Sequence, residues 1–242
     1  MTHALMFALA ALLIGFSKTS IGGISSIAIV IFASIMPARE STAAILLLLL
    51  ITGDLVAVWH YRHDADWTLL RRLVPAVLPG LVLGAGFLAI VDDTVLRRSI
   101  GALLLTLSVL QLWLSRRPEP PRAAHGGWFA GATGLAAGFT TMAANAAGAV
   151  MTLYLVARGV GKRRFLGTNA TFFLGINLCK LPFSAGLGLF GSGTLTRTVA
   201  LAPLVLLGAW AGLHTARRLS QRHFDRAVLA ATVLSSIALL AR

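Results

Sequence analysis

The chain has 242 residues, 57% of them hydrophobic and only 12% charged, with a mean hydropathy of +0.83. A soluble domain is about half apolar and a quarter charged, so this composition excludes an ordinary soluble fold and points to an all-α polytopic membrane protein. The net charge of +13 would suggest nucleic acid in a soluble chain. Here the basic residues sit in short stretches between apolar runs, as cytoplasmic membrane loops require, and no aromatic-interleaved basic patch supports nucleic-acid binding.

Ten apolar segments follow one another, at about 4–17, 20–36, 41–60, 68–91, 95–114, 126–140, 144–158, 163–182, 195–216 and 224–241. The third, fourth, fifth, eighth, ninth and tenth meet or approach the roughly 20 residues of a full span. The first, second, sixth and seventh are shorter. Each short pair is joined by small polar residues instead of a charged loop, the pattern of a re-entrant hairpin. The N-terminus has no basic n-region and no A-x-A cleavage site, so no signal peptide is expected.

Residues 115–125 are rich in proline and charge, which rules out a membrane helix there. They divide the chain into a first repeat, 1–117, and a second, 126–242, with 118–125 as linker. The halves look alike. Gly15-Phe16 matches Gly138-Phe139, and Asp54 falls on Asn177, at an offset of 123. Gly80, Gly84 and Arg98 match Gly208, Gly212 and Arg226 at an offset of 128. Five segments per half is an odd number, so the second half enters the membrane from the opposite side and the repeat is inverted. The loops after segments 3, 5, 7 and 9 hold 14 basic residues, the opposite side 5. The positive-inside rule places the 14 in the cytoplasm and both termini outside. The expected location is the bacterial inner membrane.

Lys18 and Lys180 are the two remaining basic residues, and both lie within apolar sequence. A lysine at membrane depth costs about 2.5–3.5 kcal/mol on insertion scales, so it faces protein or water and has a partner. Ser17, Thr19 and Ser20 flank Lys18, and Gly22-Gly23 allow close backbone approach. The stretch reads as a helix break whose second arm starts with free N–H groups and a positive dipole end, both suited to an oxyanion. Thr19 or Ser20 is the expected cap of that arm. Thr140, Thr141 and Asn145 occupy the equivalent break of the second half and supply neutral donors. Asn169, Asn177 and Lys180 add polar groups to segment 8, though Lys180, close before Pro182, is expected near the segment end, where a lysine snorkels to the surface. Asp54, well inside segment 3, is either the partner of a lysine or a proton carrier, since desolvation disfavours a carboxylate's charge.

Gly80-x-x-x-Gly84, Gly127-x-x-x-Gly131, Gly134-x-x-x-Gly138 and Gly208-x-x-x-Gly212 are small-residue stripes of the kind that let membrane helices approach closely. His60 and His63 stand beside Asp64 and Asp66, a group read as a solvated loop, not a metal site. The single Cys179 forms no internal disulfide, and no Cys/His spacing suggests a metal. No cofactor is expected.

At the two breaks, Gly15–Gly23 and Gly134–Gly148, the chain resembles the TauE/SafE sulfite exporter family of membrane transporters. The second break, Ala143-Ala144-Asn145-Ala146-Ala147-Gly148, has fewer glycines than family members usually show. The resemblance implies a carrier of sulfur-containing anions such as sulfite, sulfonates or thiosulfate, often outward. Residues and resemblance together give one expectation. A small anion sits between two hairpin tips at mid-membrane, held by Lys18 and hydroxyl and amide donors, with access alternating between sides. Export of a monoanion from a negative interior gains about 2.3 kcal/mol per 100 mV. The rival readings are a proton-coupled or cation carrier centred on Asp54 and a non-transporting scaffold. An intramembrane enzyme would need a histidine deep beside a nucleophile, and only His214, near a segment end, is a candidate. Besides the anion, the partner is the lipid bilayer; monomer and homodimer both stay open.

Overall fold

The structure, a computed structural model, describes residues 2–20, 24–35, 46–92, 126–145 and 147–220, with scattered positions within 95–109 and 223–230. These residues form α1 (Thr2–Thr19), α2 (Ser25–Ile35), α3 (Leu46–Tyr61), a short 310 turn (Arg62–Asp64), α4 (Trp67–Ile90), α5 (Gly127–Ala144), α6 (Ala147–Ala157), α7 (Lys162–Gly186) and α8 (Thr194–Arg218). The fold is all-helical among the described residues. The fifth and tenth apolar segments lie largely outside them, and the linker 118–125, Gly22 and Gly23 wholly so.

Helices α4 and α8 are long and apolar enough to cross a membrane. By contrast α6 has 11 residues and its partner α5 has 18. At 1.5 Å per residue α6 reaches about 17 Å, roughly half the thickness of a hydrocarbon core. In the first half α1 has 18 residues and α2 is described over Ser25–Ile35.

The breaks fall later than the sequence suggested. α1 runs through Gly15-Phe16-Ser17-Lys18 and ends at Thr19, where the backbone N–H and side-chain hydroxyl of Ser20 both donate to the Phe16 carbonyl, at 3.0 and 2.6 Å. α5 runs through Gly138-Phe139-Thr140-Thr141 and ends at Asn145, which adopts the left-handed conformation at φ 53°. Asparagine is among the few non-glycine residues that take this region readily. Gly15 and Gly138 do not break their helices; they admit a neighbouring backbone. A Cβ on Gly15 would overlap the carbonyl oxygen of Val205, and one on Gly138 that of Val77.

Two helix pairs dominate the packing, α1 with α8 and α4 with α5. Their contacts repeat. Gly15 meets Val205 and Ala209, as Gly138 meets Val77 and Leu81. Gly208 meets the Leu12 carbonyl, as Gly80 meets that of Leu135. Gly212 meets Phe16, as Gly84 meets Phe139. In every case the first-half and second-half residues differ by 123 or 128. Pro75 in α4 and Pro203 in α8 share the offset of 128. The stripe Gly127/Gly131 is different: no described atom lies within 4 Å of where their Cβ atoms would stand, so it is no packing seam among the described residues.

One apolar core gathers α1, α2, α3 and α8 around Ile14, Phe32, Leu49 and Val205; a larger one gathers α4 to α7 around Leu73, Leu81, Tyr154 and Phe165. Helix α3 packs on α7 and joins the two. At one end of the molecule Asp64 pairs with Arg163 at 3.4 Å and Asp66 with Arg164 at 2.6 Å. Asp66 also caps α4, accepting from Thr68 N and Leu69 N. Nearby, Lys162 Nζ donates to the carbonyls of Ala216 and Leu219 at the close of α8. These contacts bring three of the four basic stretches to the same end.

The glycine seams give a direct test. Gly208→Ala should destabilise the protein by about 1–3 kcal/mol, the usual cost of forcing atoms into a packed interior. Gly86→Ala, with open space around its Cβ position, should be neutral or gain up to ~1 kcal/mol of helix propensity. Thermal unfolding in detergent checks both.

Candidate functional site

Lys18 lies in the last turn of α1, one helical turn beyond the Gly15 contact. Its stem passes Gly53 of α3, where a Cβ would stand 3.0 Å from Lys18 Cγ. Its ammonium then reaches Asp54 Oδ1 at 2.7 Å, with the Asp54 side chain wholly buried. The same ammonium lies 4.2 Å from the centre of the Phe173 ring, a cation–π contact that favours a desolvated cation. From α7, Asn177 Nδ2 donates to Asp54 Oδ2 at 2.7 Å. Asp54 and Asn177, equivalent positions of the two halves, therefore touch each other.

The second lysine completes the cluster. Lys180 is buried, against the expectation of a shallow residue at the segment end, and its ammonium donates to Asn145 Oδ1 and, at 3.4 Å, to Thr141 Oγ1. Among the described residues no carboxylate lies within ion-pair distance of it. The cluster thus holds two ammonium groups and one carboxylate.

Between them is a cavity of about 20 Å³ lined by Ser17, Lys18, Ser25, Leu50, Thr141, Asn145, Gly148, Asn169, Phe173 and Asn177. That is room for about one water and too little for an ion of several heavy atoms. The lining comes from both helix breaks, from α1 and α2 on one side and from α5 and α6 on the other. A larger hollow, about 770 Å³, is an apolar groove along α4 and α5 whose lining holds no charged side chain.

The residues expected to bind do not all converge. Ser17, Lys18, Thr141, Asn145, Asn169 and Asn177 line the cavity, with Asp54 and Lys180 directly behind them. Thr19 turns away and donates to the Ala209 carbonyl at 2.8 Å. The Ser20 proton goes to Phe16. Neither caps α2; the Ser17 hydroxyl does, accepting from Ser25 N at 3.0 Å. Thr140 donates to Ala137 at 3.3 Å and borders the apolar groove. Helical geometry explains Ser20 and Thr140, since a serine or threonine near a helix end readily satisfies a carbonyl three or four residues back; Thr19 instead reaches across to α8. Sequence reading missed Gly53, which lets the Lys18 stem pass, and Phe173 and Tyr61. The Tyr61 hydroxyl donates to the Thr19 carbonyl at 3.0 Å, closing off the end of α1. An apolar or aromatic residue in a membrane segment carries no signal of its own, so only the fold picks these out.

Breaking a buried ion pair strands a charge, at about 3–5 kcal/mol, whereas replacing both partners by apolar groups is often neutral. Asp54→Ala should therefore destabilise the protein more than the double variant Lys18→Met, Asp54→Leu. Unfolding in mixed micelles measures the difference; a double variant as costly as the two single changes summed would show that the pair is not coupled.

Comparison with curated proteins and with solved structures gave no match. The profile of the sulfite exporter TauE/SafE family matches residues 7–239, which takes in both helix breaks and every residue of the cluster. The chain belongs to the sulfite exporter TauE/SafE family, whose members are integral membrane transporters.

Proposed function

We propose that the protein carries a small sulfur-containing anion across the bacterial inner membrane, held between the ends of α1 and α5 in the cavity beside Lys18. One observation carries this reading: two buried ammonium groups flank a polar cavity at the meeting point of both helix breaks, and a single carboxylate accompanies them. An ammonium in an apolar interior needs a counter-charge. Lys18 supplies charge, Thr141, Asn145 and Asn177 supply hydrogen-bonding groups, and Lys180 supports Thr141 and Asn145 from behind. Of the two roles expected for Asp54, lysine partner and proton carrier, it fills the first in this conformation.

The architecture proposed for transport is a pair of inverted repeats, 1–117 and 126–242. The paired glycine contacts support it, because each contact between α1 and α8 has its counterpart between α5 and α4 at the same residue offsets. Two halves that exchange their first helices in this way match a two-fold relation, and its axis would pass near the Asp54–Asn177 contact. With the basic end in the cytoplasm, the cavity opens alternately as one repeat rocks against the other. A cation carrier centred on Asp54 fits less well, since both carboxylate oxygens face protein donors.

Binding to purified protein tests the reading, with sulfite, sulfoacetate, thiosulfate, sulfate and short carboxylates as candidates. Lys18→Ala should weaken the preferred anion by about 1.5–3 kcal/mol, the worth of a charged hydrogen bond, or roughly 10–150-fold. Circular dichroism and gel filtration check that the variant is folded. Unchanged affinity in a folded Lys18→Ala protein would refute the assignment.

A further inference from the structure

The cluster's charges do not cancel. With both lysines protonated, Lys18 and Lys180 contribute two positive charges, Asp54 one negative, and the remaining polar groups of the cavity are neutral. One positive charge is left over in a desolvated place. From this surplus, and on the basis of the anion site proposed above, we infer that the cavity counts charge: it takes a monoanion as it stands, and a dianion only together with one proton, which goes onto Asp54.

Neutrality in a low-dielectric site is the physical reason, because uncompensated buried charge costs several kcal/mol. A monoanion brings the cluster to zero while the Lys18–Asp54 pair stays intact. A dianion would leave an excess negative charge and would compete with Asp54 for Lys18. Protonation of Asp54 removes both problems. The carboxylate gains a proton from the water on the side where the anion enters; no other covalent bond forms or breaks, and the Lys18 ammonium changes partner from Asp54 to the anion. Among the described groups facing Asp54, α1 contributes Lys18 and α7 contributes Lys180 and the neutral Asn177, while α8 brings Val205 against Gly53; with both lysines already protonated, the carboxylate is the acceptor left.

Asn177 is built to follow the change. Its Nδ2 serves the Asp54 carboxylate, while its Oδ1 is buried without a hydrogen-bond partner. A carboxylic acid needs an acceptor for its proton. Rotating the amide by half a turn would let Oδ1 accept from Asp54 and turn Nδ2 toward the cavity, adding a donor for the anion at the moment Asp54 stops competing. The amide thereby couples the protonation state of Asp54 to the number of donors that the anion meets.

The test uses sulfate as an obligate dianion and methanesulfonate as an obligate monoanion. Purified full-length protein is titrated calorimetrically near neutral pH, in two buffers of different ionisation enthalpy, which gives the protons taken up per anion bound. The expected result is one proton with sulfate and none with methanesulfonate. Sulfate affinity should fall about tenfold per pH unit wherever empty-site Asp54 is ionised, by linkage, and Asp54→Asn should bind sulfate with no proton uptake. Equal proton counts for the two anions, failure of methanesulfonate to bind where sulfate does, or proton uptake that persists in Asp54→Asn would overturn the charge rule and leave the anion site standing. Binding of neither probe would overturn both.

Discussion

A lysine ammonium held 2.7 Å from a wholly buried carboxylate sets the conditions for the helices around it. Neither charge can stay inside an apolar protein without the other, so α1 and α3 are fixed in register. A Cβ at Gly53 would stand 3.0 Å from Lys18 Cγ, so a larger residue there would press on the lysine stem. The pair also locates the end of α1. The helix stops one residue past Lys18, and Tyr61, at the end of α3, hydrogen-bonds to its last carbonyl. Asn177 ties α7 to the same carboxylate, so three helices from both halves share one polar point.

The rest of the packing is of another kind. The seams α1/α8 and α4/α5 are backbone against backbone, through glycines with no room for a methyl group. Contacts that tight resist sliding, since interiors have no slack to take up displaced atoms. The α3–α7 seam combines both kinds: Gly167 meets the Tyr61 carbonyl at one end, and the Asp54–Asn177 hydrogen bond lies further in. On the transport reading, the glycine seams keep each moving unit rigid and the Asp54–Asn177 contact is where partners change. A cavity with room for about one water fits a conformation between openings, with Asp54 standing in for the anion's charge.

Much of this was legible in the sequence, and the exceptions are instructive. Lys18, Asp54 and Lys180 announce themselves, because a charged residue in an apolar run is costly and needs a reason. The offset of 123 that aligned Asp54 with Asn177 reappears as a hydrogen bond between them. Gly138 was legible as part of a small-residue stripe and does meet a neighbouring backbone, whereas Gly15 was read only as the start of a helix break; its close contact is with Val205, far along the chain, and no local pattern shows it. Thr19, Ser20 and Thr140 were expected at the site by proximity alone, and the carbonyls of Ala209, Phe16 and Ala137 take their protons. Phe173 and Gly53 gave no signal, since one aromatic or glycine among many in a hydrophobic segment cannot be told apart before the helices are packed. Lys180 was placed at a shallow depth because Pro182 follows closely, yet α7 continues through that proline to Gly186 and carries the lysine inside.

The central claim is that an anion occupies the space between the ends of α1 and α5, against the Lys18 ammonium. Crystals grown with selenate in place of sulfate would test it most directly, since selenium can be located by its anomalous scattering. The account predicts a peak inside the cavity, with its oxygens about 3 Å from Lys18 Nζ and facing Thr141, Asn145 and Asn177. A peak outside that cavity, with Lys18 still paired to Asp54 at saturating selenate, would contradict it.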